Sequence, residues 1–179
     1  MAMSPALERI LAAKRANPYS DEKSIDELRT EHRAGGGAVP LPEGTTWEAV
    51  DAGGVPAEWI ACGSPTSGKV FLFIHGGGYY RGSAAATRST AARISAVSGM
   101  RCLSIDYRLA PENTFPAAIN DTYTSYKWLL DQGVTPADIV VGGISAGGGL
   151  TLALLLKLKE TGESQPAGAV PMSAWTDLT

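Results

Sequence analysis

The chain has 179 residues, enough for one domain with a sizeable buried core. Hydrophobic residues make up 44% and charged residues 18%, a balance that excludes a disordered chain. The net charge is −3 with no basic stripe, which excludes a nucleic-acid-binding role, and the apolar runs at 70–74 and 150–156 are too short to span a bilayer.

From the N-terminus, MAMSPALERILAAKR carries charges through its apolar positions, unlike a signal peptide. Leu7, Ile10 and Leu11 at helical spacing predict a helix over 4–17. Ile25, Leu28 and His32 on one face predict a second over 21–33, with NPYS separating the two. The Gly- and Pro-rich stretch RAGGGAVPLPEGT (33–45) predicts a loop or linker, so residues 1–40 read as an appendage and 41–179 as the main domain.

TWEAVDA (46–52) and PAEWIAC (56–62) flank a Gly-Gly turn and predict an antiparallel pair. KVFLFIH (69–75) is apolar at consecutive positions, as in a strand buried on both faces. A helix over 84–98 rests on Ala84, Ala85, Ala86, Ala91 and Ala92, and Gly99 stops it. MRCLSIDY (100–107) is a further strand. Pro116 opens an amphipathic helix carrying Ile119, Tyr123, Tyr126 and Leu130, with Gly133 as its cap. DIVVGG (138–143), a helix over 146–159 and the strand AGAVPMS (167–173) complete the order. Alternation of this kind predicts an α/β fold: a mostly parallel sheet with flanking helices. Sites in such sheets form at the carboxyl ends of strands, where both glycine-rich stretches of interest fall. Cys62 and Cys102 have no disulfide or zinc spacing and suit a reducing cytoplasm.

VVGGISAGGGL (140–150) sets Ser145 midway between Gly143 and Gly147, where a strand turns into a helix. A nucleophilic serine mounted on such a strained turn needs very small neighbours two residues away on each side. A plain glycine-rich turn or a phosphate loop is the alternative, although no lysine follows as a P-loop requires. HGGGYYRGS (75–83) follows a buried strand, and DYRLAPENTFPAAIND (106–121) follows the next.

HGGG, DYRLAPE and G-x-SAGG in this order resemble the hormone-sensitive-lipase branch of the α/β-hydrolases, which includes many bacterial esterases. The resemblance runs from about Trp47 to Thr179. It implies an α/β-hydrolase fold, incomplete at the C-terminus, with the two leading helices as part of an N-terminal cap. It implies Ser145 as the nucleophile of a carboxylic ester hydrolase acting on short-to-medium acyl esters through an acyl-enzyme. The N–H groups of Gly76, Gly77 and Ala146 would form the oxyanion hole, His75 and Gly78 would support its loop, and Tyr79 and Tyr80 would line the substrate pocket. No metal or organic cofactor is implied. Ile144 stands where these enzymes often carry aspartate, a departure expected to alter local hydrogen bonding rather than abolish the turn.

A serine needs a base, and neither histidine fits. His75 is expected to brace the oxyanion loop, and His32 reads as a packed or partly exposed cap-helix residue. The α/β-hydrolase order is serine, then acid, then histidine, yet no histidine follows Ser145. Asp177 comes too early for the acid, and Asp106 and Asp121 read as structural. The acid and histidine are therefore expected from a segment outside this chain, which alone should be nearly inert. An unpaired sixth strand would also make the isolated chain unstable. Expected partners are a small-molecule ester, the missing C-terminal segment and, as an open alternative, a second copy in a homodimer. The rival is a binding module like the plant gibberellin receptors, which resemble the same family and hold a ligand without catalysis.

Overall fold

The computed structural model describes residues 3–16 and 23–177. The predicted separator NPYS and the first two positions of the second predicted helix lie outside the described residues.

Helix α1 (Pro5–Ala16) buries no residue, and α2 (Ile25–Gly37) buries Leu28. Ser24 starts α2 with a reciprocal capping box: its hydroxyl accepts the Glu27 N–H at 3.3 Å, and the Glu27 carboxylate accepts the Ser24 N–H at 2.8 Å. The predicted loop over 33–45 is corrected at its start, because the helix continues through Gly35, Gly36 and Gly37. Glycine costs roughly 1 kcal/mol in a helix relative to alanine. What retains it is close packing: a Cβ on Gly36 would lie 2.8 Å from Ala86 Cα, so α2 meets the next helix backbone to backbone.

Arg29 fixes α2 to the loops around it. Its Nε donates to Tyr80 O at 2.7 Å, Nη2 donates to Ala110 O at 2.8 Å, and the guanidinium forks onto Glu112 at 2.7 to 2.8 Å. That bond holds the Glu112 carboxyl down at about 2. Arg29→Ala should therefore release α2, raising its amide exchange roughly ten-fold while the central strands stay protected. Equal change in both, read by hydrogen-exchange mass spectrometry, would mean that Arg29 supports the whole fold instead.

Six strands form one mixed sheet: β1 (Thr45–Asp51), β2 (Pro56–Cys62), β3 (Val70–Ile74), β4 (Arg101–Ile105), β5 (Ile139–Ile144) and β6 (Gly168–Met172). They lie in the order β1-β2-β4-β3-β5-β6, with β1–β2 and β2–β4 antiparallel and the remaining pairs parallel. Helices α3 (Ala84–Ser98), α4 (Ala117–Asp131) and α5 (Ala146–Glu160) connect the parallel strands. Gly99 ends α3 in the left-handed conformation at φ 68°, as its sequence position predicts.

The two faces follow from alternation along β3. Val70, Leu72 and Ile74 point into a core with Leu129 of α4 and Leu150, Leu154 and Leu158 of α5. Phe71 and Phe73 point the other way, against Ala91 and Ala92 of α3. A helix faced with alanine leaves room for two phenylalanines beneath it. The chain moves one way along the sheet from β3 to β4 and back past β3 to reach β5. Right-handed crossovers then put α3 on one face and α4 and α5 on the other. At that reversal the loops leaving β3 and β5 diverge and open a crevice at their carboxyl ends. No helix among the described residues is long and apolar enough to cross a membrane.

Candidate active site

β5 ends at Ile144 and α5 begins at Ala146, so Ser145 alone makes the turn, at φ 56° and ψ −115°. Such a conformation costs an L-residue on the order of 1–3 kcal/mol and persists only where its surroundings enforce it. Backbone bonds supply the enforcement. Ser145 N–H donates to Met172 O at 3.0 Å, and Ser145 O accepts from Gly149 N–H and Trp175 N–H, each at 3.0 Å. The elbow is thus held by the end of β6 and the residues after it. A Cβ on Gly143 would lie 2.5 Å from Ile74 O, and one on Gly147 would lie 2.6 Å from His75 O. Any side chain at either position would push the turn off β3. The turn forms with isoleucine at 144.

The loop after β3 runs alongside. A Cβ on Gly76 would lie 2.7 Å from Ile144 O and 3.4 Å from Ser145 Cβ. Gly77 and Gly78 take φ values of 129° and 64°, which carry the chain around the serine. Gly76, Gly77, Gly78, Tyr80 and Ser145 share one cavity of about 420 Å³. Ala146 is fully buried at the first position of α5, where helix N–H groups have no intrahelical partner. Tyr79 lies apart from them. It lines a neighbouring apolar cavity of about 640 Å³ between α4, α5 and the loop at 108–116. Trp175, its ring 5.9 Å from that of Tyr79, lines both cavities.

Residues 71–179 match the α/β-hydrolase fold family. The chain belongs to that family. It is 33% identical over 178 residues to an acetyl-hydrolase of Streptomyces hygroscopicus, covering 98% of this chain and 58% of that protein. It is 38% identical over 126 residues to an esterase of Acinetobacter venetianus, covering 70% of this chain and 41% of that one. Among solved structures, an esterase from the bacterial hormone-sensitive lipase family superposes with a TM-score of 0.90 at 41% identity, covering 99% of this chain and 60% of that one. An esterase/lipase from an uncultured bacterium gives 0.89 at 37% identity, with 98% and 60% covered. This α/β-hydrolase chain is hormone-sensitive-lipase-like, and it spans 60% or less of the length of these relatives.

Within the α/β-hydrolase, His75 sits under the glycine loop with its ring fully buried. Its Nδ1 lies 2.8 Å from Gly76 O; a carbonyl only accepts, so Nδ1 carries the proton. The ring stacks on Tyr107 at 4.2 Å, and the Tyr107 hydroxyl donates to His75 O at 3.1 Å. Burial lowers its pKa to about 4, against the Gly76 bond, which favours the charged form. His32 lines the serine cavity, and burial followed by the nearby Arg81 charge lowers its pKa. No hydrogen bond among the described residues joins either histidine to Ser145.

The His75 shift carries a pH signature. The folded pKa lies below the unfolded value near 6.5, so the stabilisation is complete above pH 6.5 and is lost as pH falls towards 4. Over that window His75 should contribute one additional proton on unfolding, a slope of about 1.4 kcal/mol per pH unit beyond what the lowered His32 adds. In His75→Asn the amide can replace the Nδ1 donor and this slope should disappear. Urea unfolding across the window checks it; an unchanged slope in the variant would assign the proton elsewhere.

Trp175, Arg81, Thr87 and His32 also line the serine cavity, and sequence reading did not place them there. In the sequence Trp175 stands in AWTDLT, outside either glycine motif. Asp106 accepts the Ala84 N–H at 2.6 Å, and Asp121 receives Arg108 through both its backbone and its guanidinium, so both have structural partners.

Proposed function

We propose that the protein is a carboxylic ester hydrolase acting on short-to-medium acyl esters, with Ser145 as nucleophile and α1 and α2 as part of a cap over the acyl pocket. The observation that carries the reading is the strained Ser145 turn facing one cavity with Gly76 and Gly77. The Ser145 oxygen attacks the ester carbonyl carbon while its proton passes to a histidine outside residues 1–179. The Gly76, Gly77 and Ala146 N–H groups hold the tetrahedral oxyanion, each such donor contributing roughly 3–4 kcal/mol to the transition state. Collapse breaks the bond to the alcohol, which leaves with the proton. Water then attacks the acyl-serine and releases the acid. No metal or organic cofactor enters these steps.

His75 and Gly78 support the loop, Tyr80 borders the ester, and Tyr79 walls the apolar cavity beside it. The acid and histidine come from a further segment, so residues 1–179 alone are nearly inert. Free Cys62 and Cys102, the latter with its thiol pushed up to about 12 by burial, fit a reducing cytoplasm. The test compares 4-nitrophenyl butyrate hydrolysis by a protein extended to the length of the relatives with that by residues 1–179. Turnover by the longer protein, reduced at least about 10³-fold in the shorter, is expected. Tight binding of the ester without turnover by the longer protein would overturn the enzyme reading in favour of a ligand-holding module.

A further inference from the structure

The cavity that contains Ser145 holds a cation that the chemistry above leaves unused. Arg81 lines it, and with His32 held neutral Arg81 is the charged group among the described lining residues. The loop itself places this side chain. Arg81 N–H donates to Gly77 O at 3.1 Å, and Arg81 Cγ lies 3.1 Å from the point a Gly77 Cβ would occupy. Its stem therefore packs beside Gly77. The guanidinium carbon sits 5.3 Å from the centre of the Tyr80 ring, which borders the same cavity.

What distinguishes Arg81 among the described arginines is a buried donor without a partner. Arg29, Arg88, Arg101 and Arg108 each pair with a carboxylate: Glu112, Glu58, Glu48 and Asp121. Arg81 has no carboxylate within ion-pair distance among the described residues, and its Nε is buried without a hydrogen-bond partner. A buried donor left unmade is costly, and more so on a charged group. The Tyr80 ring face offsets part of that cost but accepts no in-plane N–H bond. A planar fork of donors beside an ester-sized cavity matches the geometry of a carboxylate.

We propose that Arg81 forms an anion subsite beside Ser145, and that the preferred substrates are esters bearing a carboxylate a few bonds from the scissile carbonyl. The proposal rests on the reading of Ser145 as nucleophile. Its test uses the protein extended to the length of the relatives and three esters: neutral 4-nitrophenyl butyrate, 4-nitrophenyl hemisuccinate with the charge on the acyl side, and 4-butyryloxybenzoate with the charge on the alcohol side. In Arg81→Gln the kcat/KM ratio of one anionic ester to the neutral one should fall about 30-fold, and Arg81→Lys should recover part of it. The ester that responds shows on which side the charge is read. A ratio unchanged for both anionic esters overturns the subsite while leaving the hydrolase reading intact. Should no ester be turned over, the hydrolase reading fails and calorimetry with monomethyl succinate tests the subsite separately. Binding lost in Arg81→Gln supports it, and binding that is absent or indifferent to Arg81 refutes it.

Discussion

Replacing Ser145 by glycine should abolish ester hydrolysis and, in the same variant, stabilise the fold. The values φ 56° and ψ −115° mirror a conformation that any L-residue adopts easily, and glycine takes the mirror image without strain. Relief of roughly 1–3 kcal/mol is opposed by the greater unfolded-state freedom of glycine, about 0.5–1 kcal/mol, for a net gain near 1 kcal/mol. Little opposes it further, because the Ser145 hydroxyl makes no hydrogen bond among the described residues. Activity should fall by about 10⁴–10⁶, since the oxyanion donors alone sustain only weak catalysis. Ser145→Ala separates the two effects: it should lose the same activity while retaining the strain and the wild-type urea midpoint. A glycine variant less stable than the alanine variant would show that the turn stores no strain.

The second large effect is steric. By helix propensity, alanine at position 147 should be favoured over glycine by about 1 kcal/mol. The Cβ it adds would lie 2.6 Å from His75 O and closer still to Ile74 O, both backbone atoms at the end of the central strand. Neither can rotate away. Gly147→Ala should therefore cost about 3 kcal/mol and displace the elbow from the glycine loop, reducing serine reactivity as well. Gly35→Ala is the matched control, a helical glycine with open space where the Cβ would go, and it should gain about 0.5–1 kcal/mol. Chemical denaturation of both variants checks the pair; equal and small effects would mean that the elbow yields easily.

These two residues illustrate what was legible in the sequence. A serine between glycines at a strand–helix junction announces itself because the constraint is local, reaching two residues either way. The strand at 69–75 was as clear, since burial on both faces leaves an unbroken apolar run, and Gly99 marked the end of α3. The glycine run at 35–37 misled for the complementary reason. Propensity is a local quantity, whereas Gly36 at the centre of the run is kept by contact with Ala86, some fifty residues away. Strand order was likewise hidden: nothing in β4 itself states that it lies between β2 and β3. The same limit applies around the serine. Gly76, Gly77, Gly78, Tyr80 and Ser145 come together from two motifs that can be read locally. Trp175 and His32 reach the cavity from separate elements, and although Arg81 belongs to the glycine loop, no spacing rule announces any of the three.

The proposed hydrolysis turns on one reactive group, and covalent labelling addresses it most directly. The protein extended to the length of its relatives, treated with a fluorophosphonate and then digested, should carry a single adduct on the peptide containing Ser145, and Ser145→Ala should carry none. An adduct on another residue, or one that survives in Ser145→Ala, would contradict the assignment of the nucleophile.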